Sequence, residues 1–527
     1  MKFPKVMCTQ HPDSASRYLS TQEELEEAVE GILKYGCDEY MPDYEGKTTP
    51  YHQNVQILEK LLAETNVIPG LDVFLTPRVP SAHFENRFRQ LMVMMSAAEA
   101  NSISQEYSDV QAITELVHPM TTNIDEIIES QQHAIDVFEL AKKEFKVELK
   151  APQIIPLVED VPALLNIEYT IKQTLLRYQK HFQKMPDKYR VFIGKSDSAL
   201  FFGHLASALA CKHAIHSLCS LDQNIDTQIG IIFGGGALPF RGHVTLENAD
   251  NLFTEYAGID TITLQSGIRY DHAEDDAKIL VKLAKKELSK KPELFSEEES
   301  NEIINIIGIL GAQYLKTISQ IPNLINCVAD LLPNQRDRLM RIGSLGYSRE
   351  IPELEKVVSL CKPEIREELL TPKLADLVNL PRAIKFTGAL YSIGLPPEFI
   401  GTGIGIHMVK KLLGEEALER LLTKYYPSIE ADLTFAARFL NLKVASEFLP
   451  PQTSEKVHED LTILSDFFNI LSDKEKENEF TYHILMEMIK PNLLQVIHTE
   501  DHKLDDEPTR ITKSTLIKMG KIRRSLG

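Results

Sequence analysis

QIGIIFGGGALPFRGH, residues 228–243, contains the change from strand to loop on which the fold prediction depends. Its apolar run, residues 229–233, is typical of a short buried strand. The glycines that follow, Gly234 to Gly236, carry no side chain that could obstruct a ligand near the backbone. Arg241 stands five residues after the last glycine. Backbone N–H groups and a guanidinium both bind oxyanions, so the segment predicts a phosphate or carboxylate site.

A plainer interpretation of this segment is a tight strand-to-helix turn followed by a solvated arginine. The rest of the first half decides between the two, because short apolar runs alternate there with amphipathic helical segments. The predicted strands are 6–10, 39–42, 72–77, 113–118, 153–158, 190–194, 229–233 and 261–264. Strands that alternate with helices form a parallel sheet. Eight of them within about 270 residues predict an α/β fold, a closed (β/α)8 barrel of the TIM type.

The pattern changes at about Asp271, where long charged amphipathic helices replace the strands. We therefore predict two regions. Residues 1–270 form the barrel and carry most of the active site. Residues 271–527 form a large additional α-helical region that packs on the barrel.

Composition limits the class of partner. The chain has 527 residues and a net charge of −19, from 57 basic and 76 acidic side chains. Nucleic acids and anionic membranes both favour a basic surface, so neither is expected as a partner. No stretch of 18 apolar residues and no apolar leader is present, which argues against a membrane span or secretion. Six scattered cysteines without a CxxC pair indicate reduced thiols and a cytoplasmic location.

Charged side chains follow several of the predicted strands, and in a (β/α)8 barrel the active site is built at those carboxyl ends. These residues are His11, Arg78, Glu159, Asp197, Arg241 and Arg269, which follow strands one, three, five, six, seven and eight. Two acids, a histidine and three arginines thus converge on one rim of the predicted barrel.

The side chains of this set are suited to binding a metal ion and anions and to proton transfer. Glu159 and Asp197 could hold one divalent ion, since Mg²⁺ in proteins typically binds one or two carboxylates. The arginines would bind anionic groups, and His11 could transfer a proton near neutral pH. Each residue also has an ordinary alternative: a helix cap for either acid, a turn for His11 and a solvated position for each arginine.

Five short segments together resemble phosphoenolpyruvate carboxylase, specifically its short archaeal-type form. They are MCTQHPDS at 7–14, IPLVE at 155–159, GKSDS at 194–198, FGGGALPFRGH at 233–243, and RAI at 382–384 with GT at 401–402. The larger enzymes of the family carry TAHPT, PLFE, GYSDS, a glycine-rich arginine loop and RAIPW as counterparts. The resemblance extends over most of the chain.

The resemblance implies a role for each matched residue. Glu159 and Asp197 are expected to bind Mg²⁺ or Mn²⁺, and His11 matches the essential histidine of the family. Arg241 matches a loop arginine that faces the carboxyphosphate intermediate. Arg382 matches an arginine that binds the phosphate of phosphoenolpyruvate.

Four further residues are weaker candidates on the same grounds. Arg78 is expected to be another catalytic arginine, although its surroundings, LTPRVPS, are less diagnostic. Arg269, Gly235 and Gly236 are expected to bind substrate. In this loop, glycines stand where the large enzymes carry a histidine and a further arginine. His243, Lys195 and Arg349 are candidates to replace those two groups.

The implied reaction is the carboxylation of phosphoenolpyruvate with bicarbonate to oxaloacetate and phosphate, through carboxyphosphate and a metal-bound enolate. It is an anaplerotic carbon fixation, and the family expectation for the assembly is a homotetramer. Two alternatives stay open. One is another phosphoenolpyruvate or pyruvate barrel enzyme, of the lyase or phosphotransferase type. The other is a nucleotide-binding regulatory protein, suggested by GTGIG at 401–405, although that run does not follow a predicted strand.

Overall fold

The structure is a computed structural model that describes residues 3–10, 14–336, 354–369, 380–470, 479–499 and 504–527. Its strands are β1 (Val6–Thr9), β2 (Glu39–Met41), β3 (Phe74–Leu75), β4 (Glu115–His118), β5 (Gln153–Val158), β6 (Lys188–Gly194), β7 (Gln228–Gly234) and β8 (Thr261–Leu264). They form one parallel sheet in the order β3-β2-β1-β8-β7-β6-β5-β4. All eight predicted strands are therefore confirmed.

The two ends of this sheet, β3 and β4, meet through the segment that follows β3. The N–H of Val117 donates to the carbonyl of Pro77, and the N–H of Val79 donates to the carbonyl of Val117, both over 2.9 Å. Arg78 forms the matching parallel bridge with Val117. β3 itself is shorter than predicted, and Pro77 explains part of this because it has no N–H to donate. The sheet is thus a nearly closed TIM-type barrel, as predicted.

The barrel interior is filled by side chains from six of the strands. They are Met7, Met41, Val117, Ile155, Leu157, Phe192 and Ile232, all buried in one cluster. Near the amino ends of the strands, Arg190 lies 2.8 Å from Glu39 and 2.9 Å from Glu115; Arg190 and Glu39 are buried, and Glu115 is partly exposed. That end of the barrel is therefore closed, and the carboxyl ends remain available for a site.

Helices surround the barrel and are the main elements of the rest of the described chain. The helices up to residue 331 are α1 (Glu23–Leu33), α2 (Gln53–Glu64), α3 (Arg87–Ser108), α4 (Ile124–Phe145), α5 (Val161–Leu165), α6 (Ile167–Phe182), α7 (Lys195–Phe202), α8 (His204–Asp222), α9 (Ala249–Glu255), α10 (Ser266–Tyr270), α11 (Glu274–Glu287), α12 (Glu297–Ile318) and α13 (Pro322–Leu331). Those that follow are α14 (Leu354–Leu360), α15 (Pro363–Glu368), α16 (Ala383–Ser392), α17 (Thr402–Leu413), α18 (Glu415–Arg420), α19 (Ile429–Ala437), α20 (Leu442–Phe448), α21 (Pro451–Phe467), α22 (Phe480–His498) and α23 (Asp506–Ile522).

No strand follows β8 in the parts of the chain that the structure describes. α12 packs against α8 of the barrel, and α16 packs against α7, which begins directly after β6. The start of α16 is thereby brought to the carboxyl ends of the strands. None of the helices within the described ranges combines the length and the apolar character needed to cross a membrane.

Candidate active site

A cavity of about 120 Å³ opens at the carboxyl ends of the strands. Its charged lining residues are Asp43, Glu45, Lys47, Arg78, Glu159, Asp197, Arg241 and Arg382. They come from the ends of β2, β5, β6 and β7, the segment after β3, and the residue before α16. The cavity, here called the mouth, therefore collects side chains from the barrel and from the helical region.

Two of the predicted residues, Glu159 and Asp197, follow neighbouring strands that pair at Val158 and Ile193. Asp160, not Glu159, caps α5, because its carboxylate accepts the N–H of Ala163 over 3.3 Å. Asp197 lies inside the first turn of α7 and is 8% exposed. Both carboxylates line the mouth, so neither serves as the helix cap that was the alternative for it.

This pair suits a hard divalent cation. Carboxylate oxygens are preferred ligands of Mg²⁺ and Mn²⁺, and one or two of them suffice when water and substrate complete the shell. Within the described residues no group of three or more histidine, cysteine or acidic side chains forms a metal site. The donor set of Glu159 and Asp197 therefore fits Mg²⁺ or Mn²⁺ better than a tetrahedral zinc site, which needs more protein ligands.

Arg241 is 3% exposed and is held by oxygen atoms on three sides. Its Nε donates to Oγ of Ser196 over 3.1 Å, Nη2 to Oε1 of Gln265 over 2.8 Å, and Nη1 to the carbonyl of Gly527 over 2.8 Å. Burial lowers the pKa of Arg241 to about 10, against the opposing charge of Asp197. The guanidinium thus stays charged at neutral pH in a fixed orientation.

The glycines before Arg241 do not form the predicted oxyanion cradle. The N–H of Gly235 donates to Oγ1 of Thr263 over 3.1 Å, and the N–H of Gly236 donates to the carbonyl of Arg241 over 2.7 Å. Both donors are used inside the protein. A β-carbon at Gly236 would lie 2.8 Å from Cζ of Arg241, so this glycine makes room for the arginine instead.

Arg78 lines the mouth within an ion-pair cluster. Its Nε and Nη2 each lie 2.8 Å from the carboxylate of Asp43, and Nη2 lies 2.9 Å from Glu45. Burial opposes the charge, but Asp43 and Glu45 raise the pKa of Arg78 well above its usual value. Its positive charge is therefore permanent and largely balanced by its neighbours.

The loop after β2 supplies residues that the strand-end analysis did not include. Asp43, Glu45 and Lys47 all line the mouth, and Lys47 is only 1% exposed in an ion pair with Asp43. The signal was available, because the predicted second strand ends at Pro42 and DYEGK follows it directly. Reading the residues beyond that strand end would have found them.

Arg382 is the one predicted site residue from the helical region. It lies just before α16 and lines the mouth together with Glu159 and Asp197. Its Nη2 lies 3.9 Å from Oε1 of Glu45, and its side chain is 26% exposed. The helical region therefore folds over the strand ends, as the predicted position of Arg382 requires.

The predicted substrate contact of Arg269 is not found, because Arg269 does not line the mouth. Arg269 is buried behind the strand ends, where Nη2 lies 2.9 Å from Glu27 and donates to the carbonyl of Thr9 over 2.6 Å. The short helix α10 turns it toward α1, so the structure does not support a substrate contact. His11 lies outside the described residues, as does Arg349.

The two described candidates for the missing loop groups are occupied elsewhere. Nζ of Lys195 donates to the carbonyl of His204 over 3.1 Å, and burial lowers its pKa to about 8. Nδ1 of His243 lies 2.5 Å from Oδ1 of Asp432. Neither Lys195 nor His243 lines the mouth.

The GTGIG run has a packing role. Asp460 accepts the N–H groups of Gly401 and Ile404 over 2.9 and 2.8 Å, so its carboxylate occupies the amino end of α17. A β-carbon at Gly403 would lie 2.8 Å from the carbonyl carbon of Asp460. The glycines let α17 pack closely on α21, and the nucleotide-binding alternative loses its support.

Comparison with known proteins agrees with this geometry. The family model described as phosphoenolpyruvate carboxylase matches residues 3–527. A phosphoenolpyruvate carboxylase of Methanosarcina mazei is 56% identical over 525 residues, covering 100% of this chain and 99% of that protein. Those of Methanopyrus kandleri and Pyrobaculum islandicum are 38% identical over 538 residues and 33% identical over 463 residues. They cover 100% and 88% of this chain, and 99% and 92% of their own lengths.

The barrel fold, the charged lining of the mouth and the sequence matches all indicate the same protein family. The matches extend over both the barrel and the helical region, which together supply the charged lining of the mouth. The chain belongs to the phosphoenolpyruvate carboxylase family.

Proposed function

We propose that the mouth is the site at which phosphoenolpyruvate reacts with bicarbonate to give oxaloacetate and phosphate. The observation that carries this proposal is the composition of one cavity. Two carboxylates from adjacent strands, Glu159 and Asp197, share it with Arg78, Arg241 and Arg382. The substrates together bring phosphate, carboxylate and bicarbonate into a protein of net charge −19, so local cations are needed to bind them.

Arg382 is proposed to bind the phosphate of phosphoenolpyruvate. A guanidinium donates two parallel N–H groups to phosphate oxygens, and this geometry suits Arg382 at the rim, where 26% of the side chain is exposed. Its Nη2 lies 3.9 Å from Oε1 of Glu45, at the acidic loop after β2. The exposed part of the side chain is accessible to an arriving phosphate.

Arg241 is proposed to stabilise the charge that develops when bicarbonate attacks the phosphorus. The attack forms carboxyphosphate and leaves the enolate of pyruvate, and both carry negative charge. Three oxygen partners already orient Arg241 before substrate arrives, so little reorganisation is required during the reaction. Arg78, fixed by Asp43 and Glu45, supplies a second oriented cation at the same cavity.

Glu159 and Asp197 are proposed to hold Mg²⁺ or Mn²⁺. When bound, the ion would supply charge stabilisation as a Lewis acid. His11 is proposed to act in the second half of the reaction, in which carboxyphosphate breaks down and CO₂ reaches the enolate. This assignment follows from its position after the first strand, beside the eighth and across the barrel from the fifth and sixth.

The cellular location, the oligomeric state and the division of the chain into two regions are also proposals. All six cysteines are free thiols, which supports a reducing cytoplasmic environment.

We propose a homotetramer, and one row of apolar side chains on α22 supports an interface: Phe480, Ile484 and Met488 are 67%, 50% and 51% exposed. The proposed division remains a barrel over residues 1–270 and a helical region over 271–527.

One assay tests the proposed reaction. Purified protein is incubated with phosphoenolpyruvate, with and without bicarbonate and with and without Mg²⁺, and oxaloacetate and phosphate are measured in parallel. We expect equal amounts of both products only when bicarbonate and Mg²⁺ are present. Phosphate release that does not depend on bicarbonate would contradict the proposal and favour a different phosphoenolpyruvate enzyme.

A further inference from the structure

The loop that carries Arg241, residues 234–243, contacts the helical region through Phe240 and His243, in addition to the hydrogen bond from Arg241 to Gly527. The N–H of Phe240 donates to Oε1 of Glu398 over 2.8 Å, and Nδ1 of His243 lies 2.5 Å from Oδ1 of Asp432. Both acids belong to the part of the chain after the barrel, and both are buried. The residues on either side of Arg241 are therefore held from outside the barrel, Phe240 by its backbone N–H and His243 by its imidazole.

Asp432, on α19, is the more connected of the two acids. Its Oδ2 accepts the hydroxyl of Tyr426 over 2.5 Å and lies 3.1 Å from Nε2 of His204. Burial would raise the pKa of Asp432, but His243 and His204 together lower it well below the usual range. The group is therefore an ionised carboxylate, 2% exposed, in contact with two imidazoles.

The backbone at His243 shows why such an anchor is needed. Its φ is 52°, in the left-handed region, and Gly242 before it has a φ of 121°. A side chain with a β-carbon costs about 1–2 kcal/mol in the left-handed conformation, so the surroundings must hold it there. The contact with Asp432 and the ring contact with Phe435, with centroids 4.8 Å apart, provide that hold.

Asp432 also contacts the junction between α7 and α8, through His204. His204 is the first residue of α8, and it directly follows Gly203, where α7 ends. Asp197 lies in the first turn of α7. One carboxylate of the helical region thus contacts both the loop of Arg241 and the helix junction behind Asp197, and it fixes one relative to the other.

We propose that Asp432 is a positioning residue for the carboxylation reaction, which holds Arg241 at the mouth through His243. This inference rests on the proposed role of Arg241. Asp432 does not line the mouth, so it acts on the reaction only through the loop. The helical region then contributes Arg382 directly and, through Asp432 and Gly527, also fixes the arginine that faces the intermediate.

The test is Asp432→Asn in the full-length protein, with oxaloacetate, pyruvate and phosphate measured together. Asparagine keeps the shape but removes the charge that pairs with the imidazoles. We expect the kcat for oxaloacetate formation to fall about 10- to 100-fold, because a small displacement of Arg241 lowers the rate by about that factor. The KM for phosphoenolpyruvate, which depends on Arg382, should change less than about twofold. The ratio of pyruvate to oxaloacetate should rise, because carboxyphosphate is held less well.

A second variant keeps the test informative if Asp432→Asn folds poorly. His243→Asn removes the imidazole, and asparagine tolerates the left-handed backbone. If Asp432 acts through His243, the double variant should be no worse than the more impaired single variant, rather than the product of both effects. Asp460→Asn is the matched control: it changes another buried acid of the helical region, one that caps α17 away from the loop.

Two results would overturn the proposal. One is wild-type kcat and product ratio in Asp432→Asn. The other is a loss of kcat in Asp432→Asn with an unchanged product ratio, together with a double variant whose loss is the product of the two single losses. That result would indicate a merely structural role for Asp432. Arg241→Lys separates this failure from a failure of the proposed function. If that variant is fully active, the role of Arg241 is wrong, whereas an inactive Arg241→Lys beside an active Asp432→Asn refutes only the positioning role.

Discussion

The guanidinium of Arg382 occupies the space in which a β-carbon at Gly46 would stand. Gly46 has a φ of 61° and lies in the loop after β2, between the mouth residues Glu45 and Lys47. Arg382 therefore lies directly on the backbone of the loop that follows β2. The glycine permits this contact twice, through its left-handed conformation and through its missing side chain.

The first prediction concerns phosphate binding by Arg382. In Arg382→Ala, the KM for phosphoenolpyruvate should rise about 10- to 100-fold, because the loss of one or two charged hydrogen bonds weakens binding by about that factor. Initial rates over a range of substrate concentrations measure it. Arg420→Ala is the control, because Arg420 is another arginine of the helical region, paired with Glu302, and does not line the mouth. An unchanged KM in Arg382→Ala would remove this arginine from the phosphate site.

The second prediction concerns the metal. Glu159→Gln and Asp197→Asn preserve shape but remove the charge that attracts a divalent cation. Each should lower kcat by about 100-fold or more, and each should weaken Mn²⁺ binding measured by electron paramagnetic resonance. The thermal unfolding midpoint serves as the control for folding. Tight Mn²⁺ binding in either variant would show that its carboxylate is not a ligand.

The third prediction concerns the space beside Arg241. In Gly236→Ala, the added methyl group would stand 2.8 Å from the guanidinium carbon, so the arginine has to move. We expect kcat to fall about 10- to 100-fold, since a small displacement of a catalytic group has that effect. Gly267→Ala is the control, because its methyl group would meet nothing closer than 3.4 Å. Equal activity of the two variants would contradict the role given to Gly236.

The fourth prediction separates His11 from the first step. If His11 serves the second half-reaction, His11→Asn should form little oxaloacetate but still release phosphate and pyruvate slowly in the presence of bicarbonate. An enolate without its carboxyl partner is protonated by water, which explains the pyruvate. Phosphate, pyruvate and oxaloacetate are measured side by side. Loss of all three products together would place His11 in the first step or in substrate binding.

The fifth prediction concerns stability in acid. Burial lowers the pKa of His213 on α8 to about 4, whereas an unfolded histidine titrates near its usual value of about 6.5. Between these values the unfolded chain binds more protons than the folded one. Stability is therefore complete above pH 6.5 and falls as the pH drops toward 4, by about 1.4 kcal/mol per pH unit for this group.

His213→Gln should flatten that dependence, because glutamine does not titrate. The free energy of unfolding in urea, measured by circular dichroism at several values between pH 4.5 and 6.5, gives the slope. His458→Gln alters an exposed histidine and should leave the slope as it is in the wild type. Identical slopes for the two variants would contradict the burial argument.

The sequence predicted the strands well because their local signal is strong. The strands at 153–158 and 261–264 have the predicted bounds, since their apolar runs are bounded by polar residues. The same reasoning did not determine which charged residues turn into the mouth. Arg269 follows β8 as expected, but its partner is Glu27 on α1, and local sequence does not reveal a contact so distant in the chain.

Long-range contacts also explain the other differences. The N–H of Gly235 is occupied because Thr263, on the neighbouring strand, accepts it. The position of Arg382 came from family resemblance, since helical periodicity does not tell where a helix folds back. Asp432 had no local signal at all: only the packing of α19 brings it to His243.

The place of Arg382 in the chain also determines when the site is completed during synthesis. The strands that carry Glu159, Asp197 and Arg241 leave the ribosome before α16 has been made, and amino-terminal parts fold first. A nascent chain, or a fragment released early by a stalled ribosome, has the acids and the loop arginine but lacks the arginine of the helical region. If Arg382 binds the phosphate as proposed, such incomplete translation products should not consume phosphoenolpyruvate.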